Sequence, residues 1–360
     1  MKAAASIVFV HKDFSRSGGV ERVSINLARQ FRADGHRVSF FVAGAETEVT
    51  RELALEFPLV AVSGSFRTKW RALVAALRDC SADYAIAAKE QANILLWLAS
   101  WRYRRVKPVF ARHCAFDVSD QKLSPGMIGL LYNLYTVGRG RIVSVSSALA
   151  KDIRRRLWFG KRAVAVCLNP VVSPEMQRLA VTNTESFSHP RPFICGVGRL
   201  CEQKGFDRLL EAYAMLVARE PQSPDLVLVG DGPDRPQLEQ QAERLGLTGR
   251  VRFAGFTRNP YYVMAQSSLF VLSSRHEGLP TVLIEALALQ VPTVAFDCET
   301  GPREILEDGQ FGYLVRQNDI AGLCQAMMSA LSQPRRAPAV AVAPYAYEAA
   351  AASYYRVFAN

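Results

Sequence analysis

No apolar run in this 360-residue chain reaches the length that crosses a bilayer, about 18–20 residues. The nearest approach, residues 85–101, is broken by Lys89 and Glu90. A short apolar run near the N-terminus is followed by no small-residue cleavage site, so it reads as a first strand and the chain as cytoplasmic. Cysteines stand at 80, 114, 167, 195, 201, 298 and 324, an odd count with no C-x-x-C pair. That pattern fits reduced thiols and argues against a disulfide framework or a zinc ribbon. Histidines are few and scattered. Only His113 and Cys114 adjoin, and two ligands do not complete a metal site. No Asp-x-Asp motif stands in a suitable loop, and no internal repeat is visible. No metal and no cofactor are therefore expected.

Charge of one sign is missing from half of the chain. Residues 1–170 hold 27 Lys and Arg against 13 Asp and Glu, whereas residues 171–360 hold 17 against 20. The excess is sharpest in residues 102–162, with 14 basic and 3 acidic side chains. Such a block attracts phosphates, whether on nucleic acid, on lipid headgroups or on an anionic acceptor. The alternative is an ordinary solvated basic surface. No nucleic-acid-binding motif accompanies the charge, so no nucleic-acid partner is expected.

Both halves alternate short buried strands with amphipathic helices. In the first, Ser6–His11, Arg37–Val42, Tyr84–Ala88, residues 109–112 and residues 141–146 read as strands. Val20, Val23, Leu27 and Phe31 recur at helical spacing. Residues 182–189, followed by Pro190 and Pro192, suit a linker. The same grammar then restarts, with strands at Phe193–Val197, residues 226–229, residues 251–253, Leu269–Leu272 and residues 293–296. Residues 334–344 lack a core pattern, and residues 345–358 read as a last aromatic helix. The expected fold is α/β: two Rossmann-like domains, each a parallel sheet covered by helices, facing a central cleft lined by strand-to-helix loops. The expected domains are 1–170 and 171–344, with 345–360 packing back on the first.

Chemistry concentrates in residues 275–285, which follow the strand Leu269–Leu272. Gly278 and Pro280 force a loop, and Thr281 is placed to cap the next helix. Free backbone N–H groups at a helix start cradle an anion. Glu277 precedes the loop and Glu285 follows one turn into the helix, where it is either a ligand contact or simply solvated. Gly198, Arg199, Lys204 and Gly205 form a second segment. Its Gly-x-Gly opening fails the dinucleotide fingerprint, because Cys201 stands where the third glycine belongs. Arg199 and Lys204 can instead clamp a diphosphate, Arg199 through its fork and Lys204 as a point charge. Gly18 and Gly19 let a backbone approach a ligand closely, or make a plain turn. His113, at a strand end, can meet a substrate hydroxyl or be structural.

Taken in order, these segments resemble glycosyltransferase family 4, of the two-domain GT-B fold. The specific element is Glu277, seven residues, then Glu285, within Ser-Ser-Arg-His-Glu-Gly-Leu-Pro-Thr-Val-Leu-Ile-Glu-Ala. Supporting elements are Gly18-Gly19, Val145-Ser146, Leu168-Asn169-Pro170, Gly198-Arg199 with Lys204-Gly205, Gly230-Asp231-Gly232-Pro233, Gly255-Phe256 and Gly301-Pro302-Arg303-Glu304. Pro170 replaces the glycine common at the junction. The resemblance implies a retaining, metal-independent transfer from a nucleotide-sugar. Arg199 and Lys204 would neutralise the donor diphosphate, with the backbone at Gly278, Leu279, Pro280 and Thr281 in support. Glu277 would contact the donor sugar, Glu285 the ribose and Phe256 the base. Gly18 and Gly19 would border the phosphates, and His113 the sugar and leaving group. The resemblance also implies a UDP-hexose or UDP-N-acetylhexosamine donor, with a GDP-mannose-type donor as the alternative. It implies a lipid-linked or lipopolysaccharide glycan acceptor, and the basic block suits peripheral docking on the inner face of the cytoplasmic membrane. An epimerase or phosphorylase of the same fold is disfavoured by the spaced glutamates. A basic nucleic-acid- or membrane-binding protein without catalysis is the alternative of another class.

Overall fold

β-Branched and aromatic residues in short runs, each followed by an amphipathic stretch, give strands that must be buried on both faces. The computed structural model describes residues 4–14, 19–113, 124–183 and 185–359. Gly18 and Cys114 lie outside these residues. Two compact units are formed, residues 1–170 with 347–360, and residues 171–346.

The first unit holds β1 (Ser6–His11), β2 (Arg37–Val42), β3 (Leu59–Ala61), β4 (Tyr84–Ala88), β5 (Lys107–Arg112), β6 (Arg141–Ser144) and β7 (Val164–Val166). All pair in parallel, in the order β3-β2-β1-β4-β5-β6-β7. The second holds β8 (Phe193–Val197), β9 (Asp225–Val229), β10 (Val251–Gly255), β11 (Leu269–Leu272), β12 (Thr293–Asp297) and β13 (Tyr313–Arg316), in the order β10-β9-β8-β11-β12-β13. Both sheets are doubly wound. The direction of strand addition reverses between β1 and β4 in one and between β8 and β11 in the other. Ligands of such sheets bind beyond the carboxyl ends of the strands at that reversal.

The first core joins Phe9, Phe31 and Phe40 to Tyr354, Val357 and Phe358 of the final helix, Tyr347–Ala359. The Phe358 ring stacks on Tyr84 with centroids 4.0 Å apart. The second core is built from Ile194, Leu209, Leu226, Val271, Phe296 and Leu323.

Four details depart from the sequence reading. β3, β7 and β13 are short, partly exposed strands at or beside the sheet edges, where the apolar signal is weak. β6 stops at Ser144, because Ser146 turns to cap the following helix, its Oγ accepting from Leu149 N at 3.2 Å. β5 starts earlier, at Lys107, and takes in Pro108, because β6 pairs with it only from Val109. Residues 182–189 are not a linker. Glu185 accepts from Arg258 N at 2.9 Å, and Phe187 packs edge-on to Phe193 beneath the Arg252 guanidinium, inside the second unit.

Candidate functional site

In the second unit, the loops leaving β8 and β11 meet beyond the strand ends. Ser273 Oγ donates to Lys204 O at 2.9 Å and Arg275 N to Gln203 O at 2.8 Å. Gly205 permits this approach: it sits at φ +63°, and a Cβ there would stand 2.2 Å from Ser273 O. Gly301, at φ +100°, gives the same room to Pro280. Arg275 binds the Asp207 carboxylate with both arms, at 2.7 and 2.6 Å. Burial works against a charged Asp207, but the hydrogen bonds and charge of Arg275 outweigh it and lower the pKa. The Arg275 fork is thus committed to holding the two loops together.

Lys204 Nζ donates to Glu277 Oε1 at 2.7 Å. Ser274 Oγ donates to the same oxygen at 2.7 Å, and Thr300 Oγ1 donates to the Glu277 carbonyl. Glu277 is 8% exposed, and these partners hold its carboxylate and carbonyl in place. Arg199 lies on the same loop as Lys204, is exposed, and has no carboxylate partner among the described residues. Lys204 and Glu277, 73 positions apart, are brought together with Arg199 near one strand-end crevice. An exposed cation beside a half-buried lysine paired with a buried glutamate suits a ligand that carries both phosphate and hydroxyl groups.

The helix Thr281–Ala288 follows. Pro280, in extended conformation, takes the cap position, so Thr281 is the first helical residue and not the cap that the spacing suggested. No side chain caps this helix, and within its first turn Leu283 N donates to Pro280 O at 3.1 Å. Glu285 is 1% exposed, which excludes the solvated-helix reading. Phe256, just past β10, is 53% exposed.

The reversal in the first unit carries residues that the sequence reading passed over. Lys89, directly after β4, has φ +74°, a region costly for a side-chain-bearing residue. Its Nζ donates to Glu21 Oε1 at 2.6 Å and Asp13 Oδ1 at 3.1 Å. Burial opposes the charged ammonium, but these carboxylates raise its pKa. Arg112 pairs with Glu90, which also accepts from Tyr132. His113 follows β5. Burial, then the Arg112 and Lys89 charges, hold its pKa down to about 4. His11, buried at the end of β1, is pulled down to about 3 by burial, Lys89 and His113, against Asp13. Both imidazoles are neutral at physiological pH. The sequence carries no distinct signal for Lys89, which is simply a lysine after an apolar strand. Gly19 opens the helix Gly19–Ala33, and no atom of the described residues beyond its chain neighbours lies within 4 Å of a Cβ built on it.

Burial pushes the Cys167 thiol up to about 11, Cys298 to about 12 and Cys195 beyond that range, so these cysteines are inert. Among the described residues no three His, Cys, Asp or Glu side chains cluster as metal ligands would. No described helix is long and apolar enough to cross a membrane.

Two family models match the chain. Residues 17–172 match "Glycosyltransferase Family 4" and residues 182–348 match "Glycosyl transferases group 1". The chain belongs to glycosyltransferase family 4. An uncharacterized glycosyltransferase of Haemophilus influenzae is 26% identical over 342 residues, covering 91% of each chain. The lipopolysaccharide core biosynthesis glycosyltransferase LpsD of Rhizobium meliloti is 28% identical over 341 residues, 90% of this chain and 88% of LpsD. Among solved structures, Anabaena HepE in complex with UDP superposes with a TM-score of 0.81 at 21% identity, covering 98% of this chain and 99% of HepE. These likenesses make the fold GT-B and the protein a glycosyltransferase. The two matched stretches contain both strand-reversal sites, Lys89 and His113 in the first, Arg199, Lys204, Glu277 and Glu285 in the second.

Proposed function

We propose that this glycosyltransferase moves a hexose or N-acetylhexosamine from a UDP-sugar to a glycan or lipid-linked glycan of the cell surface, with retention and without a metal. The observation that carries the reading is the Lys204–Glu277 pair beside the exposed Arg199 at the β8/β11 reversal. Arg199 and Lys204 face the diphosphate, helped by the helix start at Thr281 and the backbone at Gly278, Leu279 and Pro280. Glu277 accepts from hydroxyls of the donor sugar, Glu285 from the ribose, and Phe256 lies against the base. Gly18 and Gly19 border the phosphates, and His113, a neutral imidazole, meets the sugar on the leaving-group side.

As the bond from the anomeric carbon to the diphosphate breaks, negative charge grows on the departing oxygen. Preplaced cations and N–H dipoles stabilise that charge, the role a divalent metal has in other transferases. The acceptor oxygen bonds to the anomeric carbon on the face the diphosphate leaves, and its proton passes to the departing phosphate oxygen. Configuration is kept and no protein nucleophile is needed. UDP in the HepE structure and lipopolysaccharide core synthesis by LpsD support the donor and acceptor classes. The basic block in residues 102–162 supports peripheral attachment to the inner face of the cytoplasmic membrane.

A thermal-shift panel of UDP-, GDP- and ADP-sugars tests the donor. A ligand at a hundred times its Kd stabilises the folded state by about 2.7 kcal/mol, so UDP-sugars are expected to raise Tm and the others not. A rise with GDP-mannose alone would replace the donor. UDP release that needs no acceptor and yields an isomerised sugar would replace transfer by epimerisation.

A further inference from the structure

The amino-terminal edge of the first sheet lies opposite the strand ends that carry Lys89 and His113. Three cavities run along it, of about 360, 230 and 190 Å³. Arg141, Arg162 and Arg356 line the largest. The second shares Arg141 and adds Lys107 and Arg139. The third shares Arg139 and adds Arg104. Shared walls make them one trough, and among the described residues no acidic side chain lines any part of it.

Large apolar side chains stand exposed beside these cations. Trp101, at 48%, and Val137, at 43%, form part of the wall of the third cavity. Trp158 and Phe159 are 73% and 55% exposed. They sit on the turn into Gly160, which is pressed against Thr136: a Cβ on Gly160 would stand 2.6 Å from that side chain. The next residues, Lys161 and Arg162, lead back to the trough. Tryptophan prefers the membrane–water interface, and each Lys or Arg near an anionic leaflet adds about a factor of five to binding.

We propose that this edge docks on an anionic phospholipid bilayer, with the Trp158–Phe159 turn entering the interface and the trough cations taking the lipid phosphates. The proposal deepens the membrane part of the reading above and involves none of the residues assigned to transfer. A nucleic-acid groove would explain the cations but not the protruding aromatic turn. The six residues of β5 separate this edge from His113 by about 20 Å. That offset suits an acceptor whose reacting hydroxyl stands several sugars away from its lipid.

Cosedimentation with phosphatidylcholine vesicles, with and without phosphatidylglycerol, tests it on the full chain. Retention is expected only with phosphatidylglycerol, weakening with salt, and with a blue shift of tryptophan emission. Combined Arg104→Gln, Arg139→Gln and Arg162→Gln should lower retention roughly a hundredfold. Trp158→Ser with Phe159→Ser should abolish most of the blue shift. Both variants should keep the wild-type Tm and the wild-type rate of UDP release with a soluble acceptor, which separates this proposal from the transferase assignment. Equal retention of wild type and arginine variant, retention on neutral vesicles alone, or tighter salt-sensitive binding of duplex DNA through the same arginines would overturn it.

Discussion

The two strand-reversal sites place the same chemical pair in opposite surroundings. In the second unit Lys204 meets Glu277 at 2.7 Å; in the first Lys89 meets Glu21 at 2.6 Å. Beside Lys204 stands the exposed Arg199, which has no carboxylate partner among the described residues. Around Lys89 a second carboxylate, Asp13, joins the pair and is itself met by Lys12 at 3.8 Å. An excess of positive charge favours phosphate, whereas carboxylates and neutral imidazoles favour hydroxyls. The same doubly wound sheet thus carries a Lys–Glu pair at each reversal, joined by an exposed arginine in the second unit and by a further carboxylate and two neutral imidazoles in the first.

Removing the second-unit pair should have the largest effect. Glu277→Ala and Lys204→Ala are each expected to lose at least about a hundredfold in transfer while thermal unfolding still shows a folded protein. Wild-type UDP release in either variant would remove that site from the comparison. Gly205→Ala comes next: it forces a side chain onto Ser273 O at positive φ, and should lower stability by about 1–3 kcal/mol, read by denaturant unfolding. A wild-type midpoint would show that the loops do not depend on that approach.

Lys89→Met probes the first-unit pair. It strands the buried Glu21 carboxylate, at a cost of about 1–3 kcal/mol, and adding Glu21→Gln should recover part of the loss. No recovery would mean that the pair is not what Lys89 supplies.

The remaining effect is in pH dependence. Folded His11 and His113 titrate at about 3 and about 4, below the unfolded value of about 6.5. The unfolded chain therefore binds the protons first, so their contribution is complete above pH 6.5 and falls as pH drops toward 4. The slope is at most about 1.4 kcal/mol per pH unit for each group. His11→Phe should flatten that acid limb in unfolding measured between pH 5 and 7. An unchanged limb would show that His11 is not held neutral by Lys89, His113 and burial.

Much of the fold was legible because its signals are local. Six-residue apolar runs such as Ser6–His11 and Arg37–Val42, each separated by helical periodicity, announce a parallel α/β sheet. The edge strands escaped notice because half-exposed residues carry little apolar contrast. Residues 182–189 looked like a linker because polar composition does not reveal Phe187 tucked against Phe193. Within the site, Glu277, Glu285, Arg199 and Lys204 stood out by type and spacing. Lys89 did not, since a lysine after an apolar strand signals nothing until its backbone angle and its partners Glu21 and Asp13 are seen.

The sequence by itself determined the α/β grammar, the family and the charge asymmetry between the halves, all properties of neighbouring residues or of their sum. Only the tertiary structure decided that Lys204 meets Glu277, that Arg275 is occupied by Asp207, that Glu285 is buried, and that Arg104, Arg139 and Arg162 share one trough. Those contacts join residues tens of positions apart. The loop contacts exist because strand order reverses at β8 and β11, and the trough exists because parallel strands all begin at one edge of the sheet.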